Sequence, residues 1–374
     1  MYCETPDPTK EGHALERMAR PWKEWHVLGR RGERITFAVL MEQKKEIVMS
    51  GIRPTGFLHL GNYFGALRNY VRMQEGYNCY FMVADLHALT TLVETKELKA
   101  HVRRVLAENI ACGLDPDKVA LYCQSHVPET TELYLYLNML AYKGELEKTP
   151  TFKDKVRLHP QNVNAGLLTY PVLQAADIML HRATLVPVGK DQEQHLEIAR
   201  NFANRFNQRY GEVFPEPYAF NFGDSLVKVP SLDGVGKMSK SENQNATLYL
   251  VDNDETIGRK ISKIKTDSGG YDPNAPMSDT VAVLFQLMRL VSAEDLVQKF
   301  EADYRAGGIR YGDMKKALTE DMIKFISPIR EKAESIRNDD AYLRAVMEKG
   351  AAKARASAQV TLSLAREAIG LNYY

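Results

Sequence analysis

Short apolar runs alternate with amphipathic stretches along this chain from Ile47 onward. Ile47-Val48-Met49 is a β-branched run, Tyr77 to Ala84 is a compact apolar strand ending at Asp85, and Val119 to Cys123 and Thr184 to Val188 are two more. Between them lie segments of helical spacing. These are Tyr63 to Tyr70, Glu97 to Ala111 (stopped by Gly113 and Pro116), Thr131 to Tyr142, an apolar helix around Thr169 to Leu180, and Asp191 to Tyr210. This alternation predicts an α/β fold, a parallel sheet with helices on both faces, whose ligands gather at the carboxyl ends of the strands. After Ser241 the pattern changes. From about Asp279 it is almost purely helical, as in Val281-Leu284-Phe285-Leu287-Met288, Met314 to Arg337 and Ala341 to Leu371. The expected division is an extension over 1–46, an α/β domain over 47–250 and a helical domain over 251–374.

Composition narrows this only a little. At 374 residues, 44% hydrophobic and 26% charged, the chain is a soluble globular protein long enough for two domains. A net charge of +1 argues neither for nor against nucleic acid, because a basic surface can be confined to one face. Cys3, Cys79, Cys112 and Cys123 form no C-x-x-C pair, so they read as reduced thiols in a cytosolic protein, and no protein metal site is expected. No apolar run approaches the ~20 residues of a membrane span. Residues 1–46 show no sustained periodicity and no signal-peptide core, and their acidic residues argue against a transit peptide. The expectation is a disordered tail or translation from an upstream start codon, with Met41 the true start. Both tryptophans, Trp22 and Trp25, fall before Met41.

The chemistry concentrates in two segments. Ser50-Gly51-Ile52-Arg53-Pro54-Thr55-Gly56-Phe57-Leu58-His59-Leu60-Gly61-Asn62 leads from a strand through a Gly/Pro turn into a helix, which aims backbone N–H groups at a phosphate. His59 and Asn62 would add donors for phosphate oxygens. Downstream, Lys237-Met238-Ser239-Lys240-Ser241 puts two lysines and two hydroxyls in a loop suited to a polyphosphate. Neither segment fits the P-loop or the three-glycine dinucleotide fingerprint. Between them, Asp177 follows two alanines in an otherwise apolar helix; buried, it would be an acceptor at the bottom of a pocket. An indole N–H is donor-only, so an acceptor-only carboxylate suits tryptophan. Val186 and Val188 add branched apolar walls.

The two segments resemble the HIGH and KMSKS signatures of class I aminoacyl-tRNA synthetases, with Asn62 at the last HIGH position. The stretches Ser50 to Gly56, His59 to Tyr63, Gly166 to Pro171, Ala175 to Asp177, Val186 to Gly189 and Arg205 to Glu212 closely resemble bacterial-type tryptophanyl-tRNA synthetases, from about residue 47 to the C-terminus. That resemblance implies a Rossmann-like catalytic domain with a dimerisation insertion, followed by a helical domain that binds the tRNA anticodon. It implies activation of L-tryptophan by ATP carrying Mg²⁺, transfer to tRNA(Trp), a homodimer and a cytoplasmic location. His59, Asn62, Lys237 and Lys240 take the catalytic roles. ATP would be held by these together with Arg53, Thr55 and Gly61, by Lys153 and Lys155, by Gly189 and Asp191, and by Ser239 and Ser241. Asp177 would receive the indole N–H, Val186 and Val188 pack the ring, and Tyr170 and Gln192 hold the α-ammonium, with Met49, Gly51 and Gln174 completing the pocket. Arg53, Gln174 and Lys190 depart from the residues commonest there, Gln, Met and Glu.

A tyrosyl-tRNA synthetase is the nearest rival. It usually carries Tyr in the first strand and Asp just before Pro-Thr, where this chain has Met49 and Arg53, and a Val-lined wall leaves a phenol unsatisfied. A small-metabolite nucleotidyltransferase would not explain the lysine loop and the helical block. A catalytically silent RNA-binding paralogue stays open, although intact His59, Lys237 and Lys240 argue against it.

Overall fold

The computed structural model describes residues 26–28, 34–36, 45–91, 94–158, 160–188, 193–220, 227–239, 243–267 and 277–373. Residues 1–45 and 46–374 form separate compact units. In the first, His26–Leu28 pairs antiparallel with Arg34–Thr36, in a stretch whose sequence shows no strand periodicity.

The larger unit is built on five parallel strands, β1 (Ile47–Ile52), β2 (Asn78–Val83), β3 (Ala120–Cys123), β4 (Leu185–Val186) and β5 (Tyr218–Ala219), in the order β3-β2-β1-β4-β5. The strand order reverses at β1, so a crevice opens at its carboxyl end, beside β4. Side chains alternate with the period of two that strands impose. Val48, Cys79, Phe81, Val83 and Leu121 face one way, and Met49, Tyr80, Met82 and Tyr122 the other. The first face is covered by α1, which starts at Leu60–Asn62, widens into a π-helical stretch Tyr63–Leu67 and continues over Arg68–Gly76. Beside it lies α3 (Leu98–Ala111), reached from β2 through the short α2 (Asp85–Leu89). The second face is covered by α4 (Glu129–Asn138), α7 (Ala165–Leu180) and α8 (Glu193–Tyr210); α5 (Lys143–Leu146) and α6 (Pro150–Leu158) connect α4 to α7.

The predicted strand over 184–188 is shortened to two residues because Pro187 has no N–H to continue the ladder. β5 was not anticipated, being two residues just after Pro217 and too short to show a period.

The helical C-terminal segment consists of α9 (Asp254–Ser262), α10 (Asp279–Val291), α11 (Glu294–Arg305), α12 (Tyr311–Arg337) and α13 (Asp340–Ile369). Its helices share the cores of the sheet. Leu284, Leu287, Leu318 and Met322 join the first face, and Ala351, Ala354 and Ala358 join the second. α13 lies directly against the backbone of β3, the edge strand, which shields that edge. Gly350 makes this approach possible, because a Cβ there would collide with the Leu121 carbonyl. Mid-helix, Gly→Ala ordinarily stabilises by about 1 kcal/mol. Here the sign should reverse. Gly350→Ala is expected to destabilise by about 1–3 kcal/mol through overpacking, read as a lower urea midpoint at unchanged m-value. An unchanged or raised midpoint would contradict the packing described.

Among the described residues no helix is long and apolar enough to cross a membrane. Cys79, Cys112 and Cys123 are buried thiols, and burial pushes Cys123 up to about 12, far from the thiolate form that reacts.

Candidate active site

The first signature sits where the topology places ligands. β1 ends at Ile52, and the chain turns through Arg53, Pro54 and Thr55, whose N–H returns to the Arg53 carbonyl at 2.8 Å. Gly56 completes the turn at φ +70°, a left-handed conformation that glycine takes without strain. His59 is the N-cap of α1 and is buried. Its N–H donates to Asn62 Oδ1 at 3.1 Å, and its carbonyl accepts from the Asn62 N–H at 2.8 Å. The Asn62 oxygen therefore caps the helix, and its NH₂ is the end suited to an external oxygen.

The lysine loop folds against this turn. Ser231 and Gly236 close a tight loop, with Gly234 and Gly236 at φ +78° and +69°. Pro230 and Lys237 form an antiparallel bridge, Lys237 is exposed, and Met238 is buried in the first core with its N–H on Val229. Two backbone bonds then join the first signature to the segment that leaves the lysine loop: Leu60 N–H to Leu248 O at 3.0 Å and Leu250 N–H to Leu58 O at 2.9 Å. A Cβ on Gly61 would lie 2.9 Å from the His59 ring and 3.5 Å from the Met238 carbonyl. Two motifs some 180 residues apart in sequence are thus in contact at Gly61, where a side chain would crowd the His59 ring.

Asp177 is buried on α7, as an acceptor at the bottom of a pocket requires. Its carboxylate accepts from His87 Nε2 at 2.9 Å and from Gln124 Nε2 at 3.0 and 2.9 Å. Burial pushes its carboxyl pKa up, and the bonds from His87 and Gln124 oppose that shift. A carboxylate has about four lone-pair sites, so it retains capacity for another donor. His87 follows the carboxyl end of β2, and Gln124 that of β3. These are partners the sequence reading missed. A polar residue directly after an apolar strand of a parallel sheet is the signal that would have found Gln124; His87, four residues beyond β2 and inside α2, carries no such signal.

Tyr170, seven residues or about two helical turns before Asp177, is buried and hydrogen-bonds His195 Nε2 at 2.9 Å. Lys155 on α6 stands over the Tyr170 ring, 4.7 Å from its centroid. Arg53 donates to Thr91 Oγ1 at 2.6 Å and acts electrostatically on Lys155. Burial, with Arg53 adding repulsion, lowers the Lys155 pKa to about 8. Arg53, Lys155 and Tyr170 are therefore brought together, whereas Lys153 lies on the exposed face of α6. Met49 and Val186 are buried in the second core, Val188 packs against it, Gln174 is half-buried on α7, and Gly51 is exposed at the end of β1 with the Met82 side chain against its α-carbon. Thr55 lies in the turn after β1, and the Ser239 carbonyl accepts from Thr247. Gly189, Lys190, Asp191, Gln192, Lys240 and Ser241 lie outside the described residues. Among the described residues no cluster of His, Cys, Asp or Glu is arranged to hold a metal ion.

The sequence pattern described as tRNA synthetases class I (W and Y) matches residues 41–327. A tryptophan–tRNA ligase of Porphyromonas gingivalis is 52% identical over 326 residues, 87% of this chain and 99% of its own length. One of Clostridium tetani is 40% identical over 333 residues, 88% and 97% of the two chains. The crystal structure of tryptophanyl-tRNA synthetase from Campylobacter jejuni, complexed with ADP and tryptophane, is similar with a TM-score of 0.78 at 35% identity, covering 87% of this chain and 99% of that one. Sequence similarity of this extent agrees with the contact between the two signature turns at the carboxyl edge of a parallel sheet, and the chain belongs to the class I tRNA synthetases of the W and Y type.

Proposed function

We propose that this enzyme activates L-tryptophan with ATP, giving tryptophanyl-adenylate and pyrophosphate, and then transfers tryptophan to tRNA(Trp). The observation that carries this reading is the 52% identity with a tryptophan–tRNA ligase along almost its entire length. In the first step a tryptophan carboxylate oxygen attacks the α-phosphorus, the bond to the bridging oxygen breaks, and pyrophosphate leaves with that electron pair. Charge builds on the phosphoryl oxygens, and preorganised donors stabilise it: the His59 turn, the Asn62 amide, Lys237 and Lys240, with Mg²⁺ arriving as part of the ATP substrate. In the second step a ribose hydroxyl of the tRNA attacks the adenylate carbonyl and AMP leaves. Asp177 is the acceptor for the indole N–H, Val186 and Val188 flank the ring, and Tyr170 and Gln192 hold the α-ammonium. ATP–pyrophosphate exchange tests the assignment. Tryptophan should support it while tyrosine and no amino acid do not; exchange with tyrosine alone would overturn it.

The same reading makes residues 47–250 the catalytic domain and 251–374 the part that meets the tRNA anticodon, in a cytoplasmic homodimer. Leu135, Met139 and Tyr142, 52%, 70% and 66% exposed, form an apolar group on and just after α4 that supports a dimer contact. Sedimentation at micromolar concentration should report about twice the 42.4 kDa chain mass; a monomer would remove that element.

Lys155 makes ATP binding sensitive to pH. Its folded pKa of about 8 lies below the ordinary 10.5, so free enzyme loses this charge above pH 8. An unfolded chain would hold the proton up to about 10.5, so this group stabilises the fold progressively as pH rises from 8 to 10.5 and contributes nothing below. Triphosphate favours the charged form, so ATP binding should take up a proton near pH 8. The KM for ATP should rise above pH 8, by at most about tenfold per pH unit, and Lys155→Arg should flatten that rise. A KM that is flat to pH 9.5 in the unsubstituted enzyme would remove Lys155 from the ATP site.

A further inference from the structure

A second lysine lies beneath the signatures, and nothing in the proposed chemistry uses it. Lys260 on α9 is 9% exposed. Its ammonium donates to Asp252 Oδ2 at 2.6 Å and to the Thr247 carbonyl at 2.8 Å, and it stands 4.8 Å from the centroid of the Tyr249 ring. All three partners belong to the segment that leaves the lysine loop. Thr247, 1% exposed, donates its hydroxyl toward the Ser239 carbonyl at 2.9 Å and the Asn243 carbonyl at 3.0 Å, one hydrogen shared between the two backbone strands of the loop's base. Tyr249 forms the antiparallel bridge with His59, and its ring meets the imidazole edge-on at 6.4 Å. Asp252 Oδ2 also accepts the Tyr249 N–H at 2.9 Å, and Arg330 on α12 donates to the Asp252 carbonyl at 2.6 Å. One ammonium therefore touches, at one remove, both the serine inside the lysine loop and the histidine of the first signature.

We propose that Lys260 is a positioning residue which, through Thr247 and Tyr249, sets the lysine loop against the His59 turn in the geometry adenylate formation requires. The proposal rests on the synthetase reading given above. A buried ion pair adds little to stability compared with apolar residues of similar volume, so its value here lies in direction: an ammonium with fixed partners orients a carbonyl, a carboxylate and a ring at once. Loop lysines act on charge that appears only during the reaction, and they must be placed to within about 0.5 Å to do so. Misplacement by about 1 Å costs on the order of a hundredfold in rate without altering how the amino acid binds. Helices α9 and α12 thereby hold the base of a catalytic loop that is carried by neither.

Two variants test this. Thr247→Val keeps the shape of the side chain and leaves the Lys260–Asp252 pair intact, so it cuts only the last link; Lys260→Met removes the ammonium. Each should lower kcat for tryptophan-dependent ATP–pyrophosphate exchange at least tenfold while KM for tryptophan stays within twofold. The double variant should lose no more than Lys260→Met alone, since both act through one link. Full kcat in Thr247→Val, losses that multiply in the double variant, or a KM for tryptophan that rises with the fall in kcat would each overturn the proposal. Amide hydrogen exchange over 231–239 reads the same placement without turnover. It should be at least tenfold faster in both Thr247→Val and Lys260→Met than in the unsubstituted protein, and unchanged protection in either would overturn the proposal. If the unsubstituted protein shows no tryptophan-dependent exchange, the synthetase reading fails, and this second measurement still decides whether Lys260 positions the loop.

Discussion

Asp177→Ala should reduce kcat/KM for tryptophan by about tenfold to several hundredfold and leave the KM for ATP nearly unchanged. The carboxylate is buried, and two fixed donors, His87 and Gln124, aim at it. Truncation strands those donors and, on the proposed reading, the indole N–H as well. Each buried polar group left without a partner costs about 1–3 kcal/mol, and 1.4 kcal/mol is a factor of ten. Part of that cost falls on the free enzyme, so the variant should also melt earlier. A substrate analogue separates the two effects. A benzothiophene analogue of tryptophan lacks the ring N–H, so the unsubstituted enzyme should reject it strongly, as sites built around a hydrogen bond do. Asp177→Ala should lose that discrimination. If tryptophan kinetics are unchanged, or if the analogue is rejected equally by both proteins, Asp177 is a buried structural acid and the pocket assignment fails.

The architecture was legible because parallel strands buried on both faces announce themselves as apolar runs. β2 and β3 fall within the runs the pattern picks out and β1 begins with one, since Val48, Phe81 and Leu121 serve one core while Met49, Tyr80 and Tyr122 serve the other. What the pattern could not carry was the short elements that no apolar run announces. β5, α2 and α5 offer too few positions to show a period, and each is held by its neighbours rather than by its own preference. The site divides in a similar way. His59, Gly61, Asn62, Lys237 and Asp177 were legible because their residue types are unusual for their local setting. His87, Gln124, Thr247 and Lys260 were not, because each draws its meaning from a partner between 8 and 90 residues away. A capping box is local, whereas a buried ammonium beneath a loop exists only once the chain has folded. Arg53, one of three departures from the commonest family pattern, acquires a physical setting beside Lys155 and Thr91. Nothing in the structure accounts for Gln174.

Lys237→Ala should lower kcat for adenylate formation by about a hundredfold and raise the KM for ATP by no more than a few-fold. Lys237 is exposed at the rim of its loop, so a charge on it interacts weakly with a ground-state triphosphate already screened by water and Mg²⁺. As the α–β phosphate bond breaks, charge accumulates on the departing pyrophosphate, and the loop is anchored closely enough to meet it: Met238 is buried, its carbonyl lies against Gly61, and Ser239 is held through Thr247. A group whose interaction strengthens only then lowers kcat and kcat/KM together when removed. A donor aimed at developing charge is worth about 2.7–4 kcal/mol, which is the loss expected here. Lys240→Ala should behave in the same way, as the second lysine of the signature. Single-turnover formation of adenylate, followed by quench and separation, gives the chemical step directly and removes product release from the comparison. If Lys237→Ala instead raises the KM for ATP a hundredfold at unchanged single-turnover rate, the lysine anchors the ground state, and the loop does not act on the transition state through it.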